Sequence, residues 1–193
     1  KAALFIVDAM EGTLLKSLEV SGVDGVANGL STPKLGDYNG DGVADYAYAG
    51  DLQGNIWRFD LLRNGRSDSA PFTREDDGES AIGDFEVAYG GEPLFSATSS
   101  NNDSRQPITS APSLVRHPTG VGYLVIFGTG KFFETNDKDG DKTMPQTVYG
   151  IWDKQTLGEE ASNPGISRSS LQEQEITNQV TVAADGSSRE GLV

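Results

Sequence analysis

The chain has 193 residues, and 15 lysines and arginines stand against 29 aspartates and glutamates, a net charge of −14. A surface this acidic repels phosphate backbones, which argues against a general nucleic-acid binder and favours cations, calcium first. Cysteine is absent and histidine occurs once, which removes zinc fingers, iron–sulfur sites, cysteine nucleophiles and disulfide scaffolds.

In chain order the dominant signal is strand. Lys1–Val7 mimics a charged start and a short apolar run, but Asp8 ends it too early for a signal peptide. The chain opens directly in a strand-like run and reads as a piece of a larger protein. Leu4–Val7, the turn Asp8–Gly12 and Thr13–Val20 read as a hairpin. Ala44–Ala49, the turn Gly50–Gly54 and Asn55–Asp60 read as another, with glycine supplying the positive φ of each turn. Segments 63–84 and 98–107 are polar and read as long surface loops. Trp57 and Trp152 lie in strand-like runs and read as core. The one helix candidate is Ser169–Asn178, with a weak apolar period. The longest apolar runs, Ala2–Val7 and Tyr123–Phe127, fall far below the ~20 residues that span a bilayer.

An internal repeat organises these runs. Ser31-Thr32-Pro33-Lys34-Leu35 recurs as Ser110-Ala111-Pro112-Ser113-Leu114. A strand ending in glycine follows each, Tyr46–Gly50 and Tyr123–Gly128, and then a strand ending in aromatic-Asp, Phe59-Asp60 and Trp152-Asp153. Such a repeat predicts an all-β chain, a β-propeller with decorated blades and a partial set of them. A sandwich in which the short motif recurs by chance is the alternative. Residues 1–155 are expected to form part of a calcium-binding propeller domain. Residues 156–193 form a polar C-terminal tail, a partly ordered continuation of it.

The motif that carries chemistry is Asp37-Tyr38-Asn39-Gly40-Asp41-Gly42-Val43-Ala44-Asp45, D-x-N-x-D-G-x-x-D. Calcium takes six to eight oxygens. Asp37, Asn39 and Asp41 at alternate positions point three side-chain oxygens at one centre, Val43 offers its carbonyl, and Asp45 closes the shell. An EF-hand needs Glu at position 12, where Tyr48 stands. The motif is therefore a calcium loop between strands. A second acidic run, Asp137-Lys138-Asp139-Gly140-Asp141-Lys142-Thr143, has D-x-D-x-D spacing but lacks Gly at position 6 and is diluted by two lysines; it reads by default as a solvated loop, with calcium binding as the alternative. His117, alone and before a proline, reads as a surface or packing residue, and no G-x-S-x-G elbow exists.

Gly36–Gly42 resembles the calcium loops of FG-GAP, integrin-type propellers. A longer series is more discriminating: Asp45–Leu61, then Gly91-Glu92-Pro93-Leu94-Phe95, then Ile126–Glu134, then Val148–Asp153. It resembles the C-terminal domain of the PilC/PilY type IV pilus biogenesis proteins. The resemblance implies a modified β-propeller and a non-enzymatic, exported protein at the pilus tip, the cell surface or the outer membrane. It further implies pilins or minor pilins as partners, a host-surface receptor as a further one, and a role in pilus extension, adhesion and twitching motility. The family's calcium loop maps onto Asp37, Asn39, Asp41, Val43 and Asp45. Two rivals stand beside this reading, a quinoprotein-like propeller enzyme and an adhesion or carbohydrate-binding propeller of another family.

Overall fold

A computed structural model describes residues 1–64, 72–99, 104–135, 137, 145–159, 161–174, 179–182 and 188–192, the last two segments as backbone. Strands β1 (Ala2–Val7) and β2 (Leu14–Val20) pair antiparallel. Strands β3 (Lys34–Gly36), β4 (Tyr46–Gly50) and β5 (Asn55–Asp60) form an antiparallel meander. Two short strands, β6 (Glu86–Val87) and β7 (Phe95–Ser96), extend it along the free edge of β5. Strands β8 (Ser113–Arg116), β9 (Tyr123–Gly128) and β10 (Val148–Asp153) make a second meander. The last pair is β11 (Gln179–Val182) with β12 (Ser188–Leu192).

The two copies of the repeated motif lead into β3 and β8, the first strand of each meander. Sequence repeat and sheet repeat therefore coincide, and among the described residues the second meander has three strands. The predicted helix at Ser169–Asn178 does not form over its described residues. A single 3-10 turn at Arg168–Ser170 stands there, and Leu171 returns to extended backbone. The run holds two serines and two glutamines, and its apolar period is too weak to hold a helix.

Every residue of β4 and β5 is buried. The pleat sends Ala47, Ala49, Trp57 and Phe59 into one cluster with Leu18 and Val20 of β2. It sends Tyr46, Tyr48 and Ile56 into another with Tyr123, Val125, Phe127, Tyr149 and Ile151 of the second meander. The central sheet is thus covered on both faces, as a blade is between two neighbours. Among the described residues the sheets form part of a propeller and close no ring.

The segments expected to be surface loops are partly inside. Phe72, Asp77 and Ala81 are buried in the 63–84 segment, and Gln106 in the 98–107 segment. Gln106 donates to Thr147 Oγ1 at 3.0 Å and accepts from Tyr149 Oη at 2.7 Å. Its backbone closes over Gly54, which has φ +81°, and a Cβ there would sit 2.7 Å from the Gln106 carbonyl oxygen. Trp152 is a further correction. β10 alternates buried and open residues because only one of its faces is covered, and Trp152 lies on the half-open face. There it stacks on His117, the rings 3.7 Å apart and 8° from parallel.

Arg58 ties the central meander to the next. It is fully buried on β5. Its guanidinium grips Asp60 through Nε at 2.5 Å and the second fork nitrogen at 3.0 Å, and reaches Asp153 of β10 at 3.1 Å. Tyr48 and Tyr89 hydroxyls donate to the same Asp153 carboxylate, each at 2.7 Å. The two aspartates hold Arg58 well above its ordinary range against the opposing effect of burial, which is the largest influence on it.

A buried cation so enclosed is costly to lose, because its partners stay behind as uncompensated charges. Arg58→Met is expected to lower unfolding free energy by about 3–5 kcal/mol in urea titrations. Combining it with Asp60→Asn and Asp153→Asn should recover part of that loss. A single variant as stable as the parent would mean that the cluster contributes nothing.

Candidate functional site

The loop 37–45 joins β3 to β4, and its ends are held by the sheet. Asp45 N–H donates to the Gly36 carbonyl at 2.9 Å, and Leu61 N–H to the Asp45 carbonyl at 2.8 Å. Gly40 and Gly42, with φ of 84° and 92°, make the two reversals that L side chains resist. Tyr38 pins the loop to the second meander. Its ring packs edge-on against Tyr123, and its hydroxyl accepts from Gly122 N–H at 3.0 Å. Arg116 lies over the Tyr38 ring at 3.9 Å and donates to the Tyr38 carbonyl. Tyr123 donates to the Asp37 carbonyl at 3.0 Å.

The five residues expected to face a cation are not equivalent. Exposed Asp37 accepts from Gly40 N–H at 2.6 Å with one oxygen and Gly42 N–H at 2.8 Å with the other. Asn39 accepts from Asp41 N–H at 2.9 Å and donates to the Phe72 carbonyl at 2.9 Å. Asp41 accepts from Val43 N–H at 2.8 Å through one oxygen. Its other oxygen is buried with no hydrogen-bond partner, and the Arg74 guanidinium stands 3.9 Å away. Asp45 is fully buried. One of its oxygens accepts from the Tyr38 and Asn39 amides, and the other has no partner.

A sixth residue belongs here that the spacing did not suggest. Asp77 comes from the 72–84 segment, where a single bridge to Leu62 holds its backbone. It is 1% exposed, and one of its oxygens is likewise buried without a partner. The other lies 3.5 Å from the Asn39 amide nitrogen. The Asp45 and Asp77 carboxyls lie within hydrogen-bond reach of each other. Burial, with the Asp77 charge adding to it, pushes the Asp45 carboxyl up to about 7 against the pull of its two amide donors. Asp77 is raised by burial and by the Asp41 charge.

Buried acceptors without donors are rare in folded proteins, and three carboxylate oxygens in this state fit a hard cation's donor set. As the side chains stand, no three acidic or histidine groups among the described residues are gathered closely enough to hold a metal. The loop's own amides occupy Asp37 and one oxygen each of Asp41 and Asp45. Of the second acidic run only Asp137 is described; 138–144 lie outside. Its carboxylate accepts from the Phe133 and Glu134 amides at 2.8 and 2.9 Å and faces Lys131 at 3.5 Å, as a solvated turn does.

Comparison with known proteins supplies the context for this loop. A family model described as the PilY1 beta-propeller domain matches residues 1–186. The chain is 55% identical over 177 residues to the type IV pilus biogenesis factor PilY1 of Pseudomonas aeruginosa, covering 91% of the chain and 15% of that protein. A PilY1 homolog of Xylella fastidiosa is 33% identical over 162 residues, covering 79% of the chain and 10% of that protein. The crystal structure of the P. aeruginosa PilY1 C-terminal domain matches with a TM-score of 0.87 at 52% identity. That match covers 95% of the chain and 38% of the solved one. The chain thus spans a small part of the curated relatives it matches.

The raised Asp45 carboxyl sets a pH dependence for the metal-free chain. A carboxyl with a folded pKa of about 7 against 3.8 ordinarily favours the fold in its neutral form. Its stabilisation is complete below about pH 4 and is lost as pH rises through about 7. In chelator, the melting temperature of the parent relative to Asp45→Asn is expected to fall between pH 5 and 8. A difference independent of pH over that range would refute the assignment.

Proposed function

This chain belongs to the PilY1 beta-propeller family, and from that premise we propose that it is a non-enzymatic, calcium-binding propeller module of a type IV pilus biogenesis factor. Calcium is held by Asp37, Asn39, Asp41 and Asp45 side chains and the Val43 carbonyl. The observation that carries this reading is the set of buried carboxylate oxygens at Asp41 and Asp45 that accept no hydrogen bond, within a D-x-N-x-D-G-x-x-D loop. Leaving such oxygens unpaired costs about 1–3 kcal/mol each, more when charged, and a divalent cation removes that penalty. Bound calcium supplies the positive charge the loop lacks, and the chain's own residues present it: Gly40 and Gly42 turn the backbone, while Tyr38 and Arg116 hold the loop against the neighbouring sheet.

The pilus reading rests on the relatives, named as type IV pilus biogenesis factors. We propose the cell surface or pilus tip as the location and pilins or minor pilins as partners. A host-surface receptor is proposed as a further partner, with pilus extension, adhesion and twitching as the processes served. Among the described residues no helix is long and apolar enough to cross a membrane.

Calorimetry on the purified chain is expected to give one calcium per chain, with a dissociation constant of roughly 10⁻⁷ to 10⁻³ M. At calcium about 100 times the dissociation constant, the ion should stabilise the fold by about 2.7 kcal/mol. Chelation should reverse that gain in melting curves. Asp41→Ala should weaken binding by orders of magnitude without unfolding the blade, whose core it leaves intact. Asp41→Lys places an ammonium where the ion would sit. In cells carrying the full-length protein the two variants should differ in piliation or twitching. Wild-type behaviour in both, at normal protein levels, would overturn the switch role, and absence of calcium binding would overturn the site.

A further inference from the structure

Resting on the calcium reading, we infer that Asp77 is a further ligand of the same cation, supplied from outside the loop, and that it joins the 72–84 segment to the site's occupancy. Three observations carry this. Asp77 is 1% exposed, so its carboxylate is withheld from bulk water. One of its oxygens is buried with no partner, in the company of one oxygen each of Asp41 and Asp45 in the same state. The carboxyls of Asp77 and Asp45 lie within hydrogen-bond reach of each other, a contact that only a shared proton or a cation makes favourable.

The nearby amide and guanidinium donors do not resolve this crowding. Asn39 offers its amide nitrogen to Asp77 at 3.5 Å but places its shorter bond, 2.9 Å, on the Phe72 carbonyl. Arg74 stands 3.9 Å from Asp41 with a largely exposed side chain, and such a pair is worth little. As the side chains stand the three carboxylates are not gathered closely enough to hold a metal, and a divalent cation that drew them together would supply what the amides and Arg74 do not. An open cleft lined by Val43, Arg74, Asp77, Gly78, Glu79 and Ser80 adjoins Asp77.

With Asp77 as ligand, occupancy becomes a property of two chain segments. The loop 37–45 enters β4, whereas Asp77 precedes the 3-10 helix Gly78–Asp84 that leads to β6 on the far edge of the same sheet. The cation would therefore fasten the end of the meander across its strands. A ligand set drawn from the loop alone would fasten only the β3–β4 connection.

The test uses calorimetric titration of the purified chain with calcium chloride, and melting curves in chelator, for the parent, Asp77→Asn and Glu75→Gln. Glu75 is exposed and controls for the loss of one negative charge nearby. Asp77→Asn is expected to weaken calcium binding by about 10- to 100-fold, whereas Glu75→Gln should bind as the parent does. In chelator at pH 8, where both carboxyls are ionised, Asp77→Asn should melt no lower than the parent, because it removes one of two carboxylates that repel. Parent-like affinity in Asp77→Asn overturns the inference and leaves the loop reading standing. Lower melting in chelator also overturns it, since Asp77 would then be a structural residue. A parent chain that binds no calcium overturns both.

Discussion

The register of the central meander against the next depends on how Arg58 is buried. A guanidinium taken out of water persists only where several acceptors enclose it. Its acceptors come from two sheets: Asp60 on its own strand, Asp153 on β10 and the Gln155 carbonyl just beyond. Tyr46 and Tyr89 present ring faces to the same cation, at 4.4 and 5.2 Å. Sliding one meander against the other would separate charges in a dry interior. The aromatic contacts around it are not directional enough to forbid that slide, but the ion cluster is. With the sheets in register, Tyr123 and Arg116 of the second meander stand where they seize the loop of the first.

The two ends of β4 show why that loop differs from an ordinary structural turn. Asp45 enters the strand and Asp51 leaves it, and both are fully buried. Asp51 accepts from Gln53 and Asn55 amides with one oxygen, and from the Asn28, Asn55 and Trp57 side chains with the other. Five donors between 2.8 and 3.0 Å leave it nothing to seek. Asp45, at the same depth, keeps one oxygen without a donor. Acidic residues at turns are common and mostly close on themselves, as Asp51 and Asp137 do. The loop 37–45 does so only in part, and the shortfall collects on the side facing Asp77.

What was legible in the sequence follows the range of the interactions. The strands were legible because period-two burial and glycine turns are local. So was the repeat, and its aromatic-Asp endings acquire a meaning in three dimensions. Asp60 and Asp153, the matching residues of β5 and β10, are the two carboxylates that hold Arg58. Asp77 was not legible, because its approach to Asp45 depends on a long excursion between β5 and β6 that returns to the sheet edge. Polar composition made that excursion look like surface, yet Phe72 and Ala81 anchor it. Trp152 was misjudged for a related reason. Trp57 and Trp152 sit at comparable places in their strands, but β5 is covered on both faces and β10 on one.

These relations separate the stability of the blade from the state of its loop. The core of the central sheet lies in two apolar clusters, and neither includes Asp41, Asp45 or Asp77. The Arg58 cluster is likewise built without them. Hydrophobic burial and the ion cluster therefore hold the sheets whether or not the loop has a cation, while unpaired carboxylates hold a reserve of unfavourable energy at one end of the sheet. A cation would release that reserve locally, drawing the β3–β4 loop and the edge segment together. Under the proposed calcium reading, the shape of this end of the sheet would answer to the ion without the fold being staked on it.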